Sequence, residues 1–424
     1  MFKDVNELIN CIEKTHMQTK VDSLDYMVKL LDKFDHPEIG LPIIHIGGTN
    51  GKGSTVEYVK SILMEDGFSV ATFTSPYVDK FNERIQVNGE YISDTDLIKY
   101  ANIIEDKFKD KDLPSFFDFM TILAFLYFRD LYNSHIVDIV ILEVGLGGIF
   151  DPTNVCIPLV SAITNVTFDH MQILGNTLKE IWTNKLGILK KDIPFITYSS
   201  EYDDLVRKAN KISKDDSNLY FLVKSDILDL KIDENCTRFN LGHIKDIKLY
   251  KLGAYQAENA YLAISIIEVL NKYYGFNITE DTIRDGLAHA NILGRLERIS
   301  NNPVIILDGA HNVDAFSRLI EYIRTINHNK KVRLIVAISE NKEPKKMVTM
   351  LNDLGDEIVF SEFNNPRRAK ASELYAYSKH KNKKMIDQIP KMIEYVLSDN
   401  DHENYIFGSL FFVSEAREYL KGNN

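Results

Sequence analysis

The sequence predicts an α/β fold with two mostly parallel sheets, one in each of two domains. Three observations carry that prediction. Short apolar, β-branched runs recur at 41–46, 68–74, 136–142, 160–166, 304–307 and 332–338, most of them leading into polar or glycine-rich turns and then helical spacing. The first run opens onto a glycine-rich loop, His45-Ile46-Gly47-Gly48-Thr49-Asn50-Gly51-Lys52-Gly53-Ser54-Thr55. Finally, 424 residues exceed the usual size of one core, and the pattern restarts after Asn301-Asn302-Pro303. Domains are therefore expected at 1–297 and 304–424, with a linker at 298–303.

Taken in order, Val5, Leu8, Ile9 and Ile12 share one helical face, and a second helix is expected around Leu24 to Phe34. The glycine-rich loop then joins a strand to a helix carrying Val56, Val59, Ile62 and Leu63, which Gly67 stops. Its glycines let backbone N–H groups turn inward, the helix dipole adds positive potential, and Lys52 adds a point charge, which together suit an oligophosphate. The pattern departs from G-x-x-x-x-G-K-[ST], because Ile46 replaces the first glycine and Gly53 follows the lysine. A divalent cation must then take its hydroxyl ligand from Ser54 or from another loop. Ser75, at the carboxyl end of the run 68–74, is either that ligand or the start of a turn before Pro76.

Asn88-Gly89 marks a hairpin, and residues 94–133 read as two helices split at Leu113-Pro114. Asp118 is either a first-turn carboxylate favoured by the dipole or a substrate-facing group. Glu143 ends a central strand and leads into Val144-Gly145-Leu146-Gly147-Gly148, a position from which a nucleotide enzyme holds Mg²⁺. Asp169-His170 follows the next strand, with Trp182 and Lys185 on the helix beyond. Residues 200–251 read as peripheral β-rich decoration. A helix then opens near Leu252, where Asn259 either contacts a nucleotide or caps the helix. In the second domain, Asp308-Gly309-Ala310-His311-Asn312 ends the first strand, and Arg367, Arg368 and Lys370 add positive charge.

Composition narrows the function classes. The chain is 45% hydrophobic, and its net charge of −11 argues against a general nucleic-acid or anionic-membrane surface. Three widely spaced cysteines, Cys11, Cys156 and Cys236, fit a reduced, cytoplasmic setting. Charges within residues 1–20 interrupt any signal-like run, and the apolar run Phe119 to Phe128 is too short to span a bilayer.

With these motifs in order, the chain resembles the folylpolyglutamate synthase and dihydrofolate synthase family of the Mur ligase superfamily. The matching segments are HIGGTNGKGST from His45, FTSPYVDKFNERIQVNG from Phe73, EVGLGGIFDPTN from Glu143, KLGILK from Lys185, LGAYQAENA from Leu252, GRLE from Gly294, LDGAHN from Leu307 and IFGSLFFV from Ile406. The resemblance implies a P-loop ATPase domain with a mostly parallel central sheet and a smaller Rossmann-like carboxy-terminal domain. It also implies an ATP-dependent ligase that adds L-glutamate to a folate, or to dihydropteroate, through an acyl phosphate, acting in the cytoplasm as a monomer. A monofunctional dihydrofolate synthase, a Mur-type ligase and a non-catalytic nucleotide-binding protein are the alternatives.

Site residues follow from the same resemblance. Gly48, Thr49, Asn50, Gly51, Lys52, Gly53 and Ser54 hold ATP phosphates, and Asn259, Arg295 and Asp308 contact the nucleotide. Ser75, Glu143 and His170 bind Mg²⁺. Lys52, Lys185, Arg295 and His311 are the catalytic set, Lys185 matching a lysine often carbamylated in the family. Asp118 stands where the family usually has glutamate, Ile149 where arginine is common, and Ala337 where glycine is usual.

Overall fold

The computed structural model describes residues 1–15, 23–108, 112–210, 216–326 and 331–422. The predicted helix faces near the amino terminus form as Val5–Ile12 and Asp25–Leu31, and bury Leu8, Ile12, Met27, Leu30 and Leu31. Residues 16–22 of that region, and 211–215 of the polar stretch, lie outside the described residues.

Eight strands make the larger sheet: β1 (Ile43–Gly47), β2 (Val70–Phe73), β3 (Ile85–Val87), β4 (Glu90–Tyr91), β5 (Ile139–Glu143), β6 (Val160–Ile163), β7 (Phe195–Tyr198) and β8 (Leu219–Leu222). Their order is β4-β3-β2-β5-β1-β6-β7-β8, parallel from β2 to β8, with the β3–β4 hairpin antiparallel at one edge. At its turn Asn88 and Gly89 take φ of +50° and +81°, the twist-matched geometry that Asn-Gly favours. Strands β1 and β5 are buried along their whole length, which explains their unbroken apolar runs. The chain leaves β1 for β2 on one side and reaches β6 on the other, so the carboxyl ends of β1, β2, β5 and β6 border one crevice.

Residues 200–251 differ from the peripheral decoration expected. β8 is a parallel strand of the main sheet, and β9 (Ile227–Ile232), β10 (Thr237–Leu241) and β11 (Ile244–Leu249) form an antiparallel meander. Phe239, Leu241, Ile244, Ile247 and Leu249 sit in the same core as helices Lys52–Glu65 and Ala254–Tyr274. Alternating burial along β10 and β11 leaves half of each strand polar, which is why the stretch reads as surface.

The second sheet comprises β12 (Glu297–Asn301), β13 (Val304–Asp308), β14 (Lys331–Val336), β15 (Glu357–Phe360), β16 (Lys383–Met385) and β17 (His402–Phe407), ordered β12-β13-β17-β14-β15-β16. β13 to β16 run parallel, and β12 pairs antiparallel with β13 from Glu297↔Leu307 to Asn301↔Val304. Residues 298–303 are therefore not a linker. They form an edge strand and the turn of a hairpin, and Asn-Asn-Pro marks that turn.

Candidate functional site

The glycine-rich loop is shaped by what packs behind it. Gly48 has φ +139°, and a Cβ there would lie 1.9 Å from Thr164 Oγ1; Gly51 has φ +87°, and its Cβ would lie 2.3 Å from Asn259 Oδ1. Only glycine accepts both the torsions and the close approach. Asn165 fixes the loop from β6's end, its carbonyl accepting from Thr49 N at 2.8 Å and its Oδ1 from Asn50 N at 2.8 Å. Thr164 Oγ1 donates to Asn50 O at 2.6 Å. The loop then enters helix Lys52–Glu65, whose first-turn N–H groups face the crevice. Residues Gly48 to Ser54 all line it.

Beside this loop lie two buried charges of opposite sign. Glu143, at the end of β5, is 4% exposed; its Oε2 accepts from Ser75 N at 3.0 Å, and its Oε1 lies 3.9 Å from Lys52 Nζ. Burial raises its pKa, opposed by Lys52, the Ser75 amide, Arg295 and Arg84. Lys185 ends helix Leu178–Lys185, which starts from a Thr177–Glu180 capping box worth about 1 kcal/mol. It is a buried lysine whose Nζ donates to Gly48 O at 2.8 Å, and burial, then Lys52, lowers its pKa to about 7.

The second domain closes the crevice from above. Asp308 is buried at the end of β13, accepting from Leu296 N at 2.9 Å and Ala310 N at 2.8 Å; burial raises its pKa, with Arg295 opposing. Its role is to fix the turns carrying Arg295 and His311, and His311 Nδ1 meets Gly309 O at 2.9 Å. Asn50 and Asn312 pair across the gap, Asn312 Nδ2 to Asn50 Oδ1 at 2.9 Å, while Asn50 Nδ2 donates to Asp314 Oδ2 at 2.9 Å. Asp169 joins both domains too. It accepts from Asn312 Nδ2 at 3.1 Å, ion-pairs with Lys342, and lies 3.7 Å from His311 Nε2. Burial works to raise its pKa, but His311, Lys342 and His170 hold it far below the usual carboxylate range.

Together these elements enclose a cleft of ≈ 1020 Å³. It is lined by every site residue expected from the sequence: the loop, Ser75, Asp118, Glu143, His170, Lys185, Asn259, Arg295, Asp308 and His311. Of the basic run, only Arg367 lines it; Arg368 donates to Glu362, and Lys370 is exposed. Asp118 resolves both of its readings, since it lies in the first turn of helix Phe116–Asn133, accepts from Ser115 Oγ at 2.6 Å, and faces the cleft.

The expected metal set is less compact. Ser75 meets Glu143 through its amide, whereas His170 Nε2 lies 3.3 Å from Lys342 Nζ. Among the described residues no three His, Cys, Asp or Glu side chains converge at metal-ligand spacing. Lys342 and Asp314 were not legible, because both fall in ordinary charged stretches; Asp169 had a signal in its place at a strand's carboxyl end.

Comparison with known proteins gives the chain a family. The glutamate ligase domain model of Mur ligases matches residues 294–407, starting with the hairpin that replaces the expected linker. The dihydrofolate synthase/folylpolyglutamate synthase of Bacillus subtilis is 36% identical over 417 residues, covering 94% of this chain and 95% of that protein. The chain belongs to that family. The folylpolyglutamate synthase of Lacticaseibacillus casei is 31% identical over 409 residues, covering 93% and 94%. Among solved structures, the Thermotoga maritima folylpolyglutamate synthase superposes with a TM-score of 0.80 at 31% identity, covering 95% and 94% of the two chains. A family member's complex with AMPPCP and folate gives 0.81 at 28% identity, covering 98% and 99%. These structures cover both sheets, and the Mur ligase domain match falls on the second. No helix among the described residues is long and apolar enough to cross a membrane.

Proposed function

We propose that this chain is an ATP-dependent amide-forming ligase that joins L-glutamate to a folate, dihydropteroate being a further acceptor. The observation that carries this reading is the single cleft in which the phosphate loop, Glu143, Lys185 and the second domain's Arg295 and His311 converge. A relative that binds AMPPCP and folate together supports a cleft wide enough for nucleotide and acceptor at once.

A carboxylate is a poor acyl donor, so the amide requires activation. The acceptor carboxylate oxygen attacks the γ-phosphorus of ATP, the bond to the bridging oxygen breaks, and ADP leaves. Lys52, Arg295 and the N-terminus of helix Lys52–Glu65 supply the positive charge that this transfer needs. The amine of glutamate then attacks the acyl phosphate carbonyl, loses its proton, and the tetrahedral intermediate expels inorganic phosphate. The Asn50–Asn312 and Asp169–Lys342 contacts hold the domains together, keeping water from the acyl phosphate while it exists.

The donor chemistry also fits Mg²⁺. Glu143 presents a buried carboxylate to the cleft beside Ser75, and burial keeps His170 neutral by lowering its pKa to about 4. These three residues would hold the ion, which supplies charge neutralisation to the nucleotide phosphates. Lys185, with a substantial neutral fraction near pH 7, is suited to carbamylation by CO₂. A monomer in the cytoplasm is the matching setting.

The test is product analysis with ATP and glutamate plus either tetrahydrofolate or dihydropteroate. Glutamylated product, with ADP and phosphate released only when acceptor and glutamate are both present, is the expected result. Equal ATP hydrolysis without them overturns it.

A further inference from the structure

Among the described residues, one strongly buried arginine of the cleft has no carboxylate within ion-pairing distance. Arg84 ends the short 3₁₀ turn Phe81–Arg84, is 8% exposed, and lines the cleft near Ser75, Ser115 and Phe116. Its guanidinium carbon lies 5.1 Å from the Phe116 ring centre, 5.2 Å from that of Tyr77 and 5.8 Å from that of Phe81. Its Nε is buried without a hydrogen-bond partner, and among the described residues no side chain ion-pairs with the guanidinium. By contrast, the other strongly buried arginines, Arg333 and Arg417, each meet carboxylates directly.

Burying a cation with no hydrogen-bonded carboxylate is costly, and the three aromatic faces and the more distant Glu83 and Glu143 offset only part of that cost. The fold nevertheless holds the group firmly. Arg84 O accepts from Thr74 N at 2.9 Å, and the preceding Glu83 caps Val78 N at 3.0 Å, so the turn is fixed from both sides. A planar, preorganised guanidinium walled by aromatic rings and open to a cleft is built to take a planar anion in bidentate fashion. The phosphate loop carries Lys52, 3.9 Å from Glu143, so nucleotide phosphates already have their own cation.

We propose that Arg84 is the acceptor-docking residue, its guanidinium, held against Tyr77 and Phe81, receiving the carboxylate of the folate or dihydropteroate while Phe116 walls the aromatic portion beside it. This inference rests on the ligase reading above. It makes Arg84 a specificity determinant for anionic acceptors rather than part of the ATP site.

Arg84→Met and Arg84→Lys test it, because the first keeps the stem's packing without charge and the second keeps charge without the fork. In the Met variant the acceptor KM should rise about 10- to 100-fold, as for loss of a charge-assisted contact, while the ATP KM changes less than about threefold. Its thermal midpoint should equal or exceed the wild type's, since an unpaired buried charge has been removed. Wild type should bind dihydropteroate much more tightly than the analogue lacking the carboxyl group, and Arg84→Met should bind the two alike; Arg84→Lys should restore part of that discrimination. Equal rises in both KM values, or undiminished discrimination in Arg84→Met, overturn the assignment. If wild type makes no glutamylated product with either acceptor, it is the ligase reading that fails instead.

Discussion

Lys52 and Glu143 stand 3.9 Å apart beside the loop, and each is needed for a different reason. Lys52→Ala removes a fixed positive charge at the transferring phosphoryl group, so kcat should fall roughly 10²- to 10³-fold, measured by ADP release. Lys185 carries a pH signature. Its pKa is lowered to about 7 by burial, below its unfolded value, so the folded state sheds its proton first. The resulting stability is present above the unfolded lysine value and is lost as pH falls through about 7. Wild type should therefore lose stability against Lys185→Met on going from pH 10 to pH 6 in CO₂-free buffer, by on the order of 4 kcal/mol in urea unfolding for a shift of about three pKa units. A pH-independent difference contradicts that burial argument. At this scale the sequence was informative where chemistry sits at strand ends, as with Glu143 and His311. It was silent on Lys342, whose partner Asp169 lies 173 positions away.

The glycine-rich loop, as an element, is held by its neighbours more than by its own sequence. Thr164, just beyond β6, and Asn259, from helix Ala254–Tyr274, occupy the spaces that Cβ atoms would need, and Asn165 accepts from the loop's Asn50 amide. Gly51→Ala forces a positive φ on a β-carbon, costing roughly 1–2 kcal/mol, and pushes Asn259 aside. A lower thermal midpoint and a raised ATP KM are expected; an unchanged ATP KM would mean the loop tolerates both shifts. Most elements were legible because their periodicities are clean: β1 and β5 as apolar runs, and the Asn88-Gly89 hairpin from its turn residues. The meander β9–β11 and the strand β12 were not. β9 and β12 bury no residue fully and β10 and β11 bury only one face, and composition averaged over such strands resembles loop.

For the whole molecule, the two sheets point their ligand ends at one another and are tied by polar contacts across the cleft. Asp169→Asn leaves the Lys342 ammonium without its carboxylate in a mostly buried position, and loss of one partner from such a pair costs about 3–5 kcal/mol. Adding Lys342→Met should recover much of that loss in denaturant unfolding; additive costs would show that the pair does not act as a unit. Two facing α/β domains could be inferred from the chain, but the contacts between them could not, since they join residues with no shared local pattern. Their purpose in this account is to shelter an acyl phosphate. The most direct measurement supplies acceptor carboxylate labelled with ¹⁸O and follows the label by mass spectrometry during turnover with ATP and glutamate. The account predicts one labelled oxygen in each inorganic phosphate released; phosphate carrying no label would contradict it.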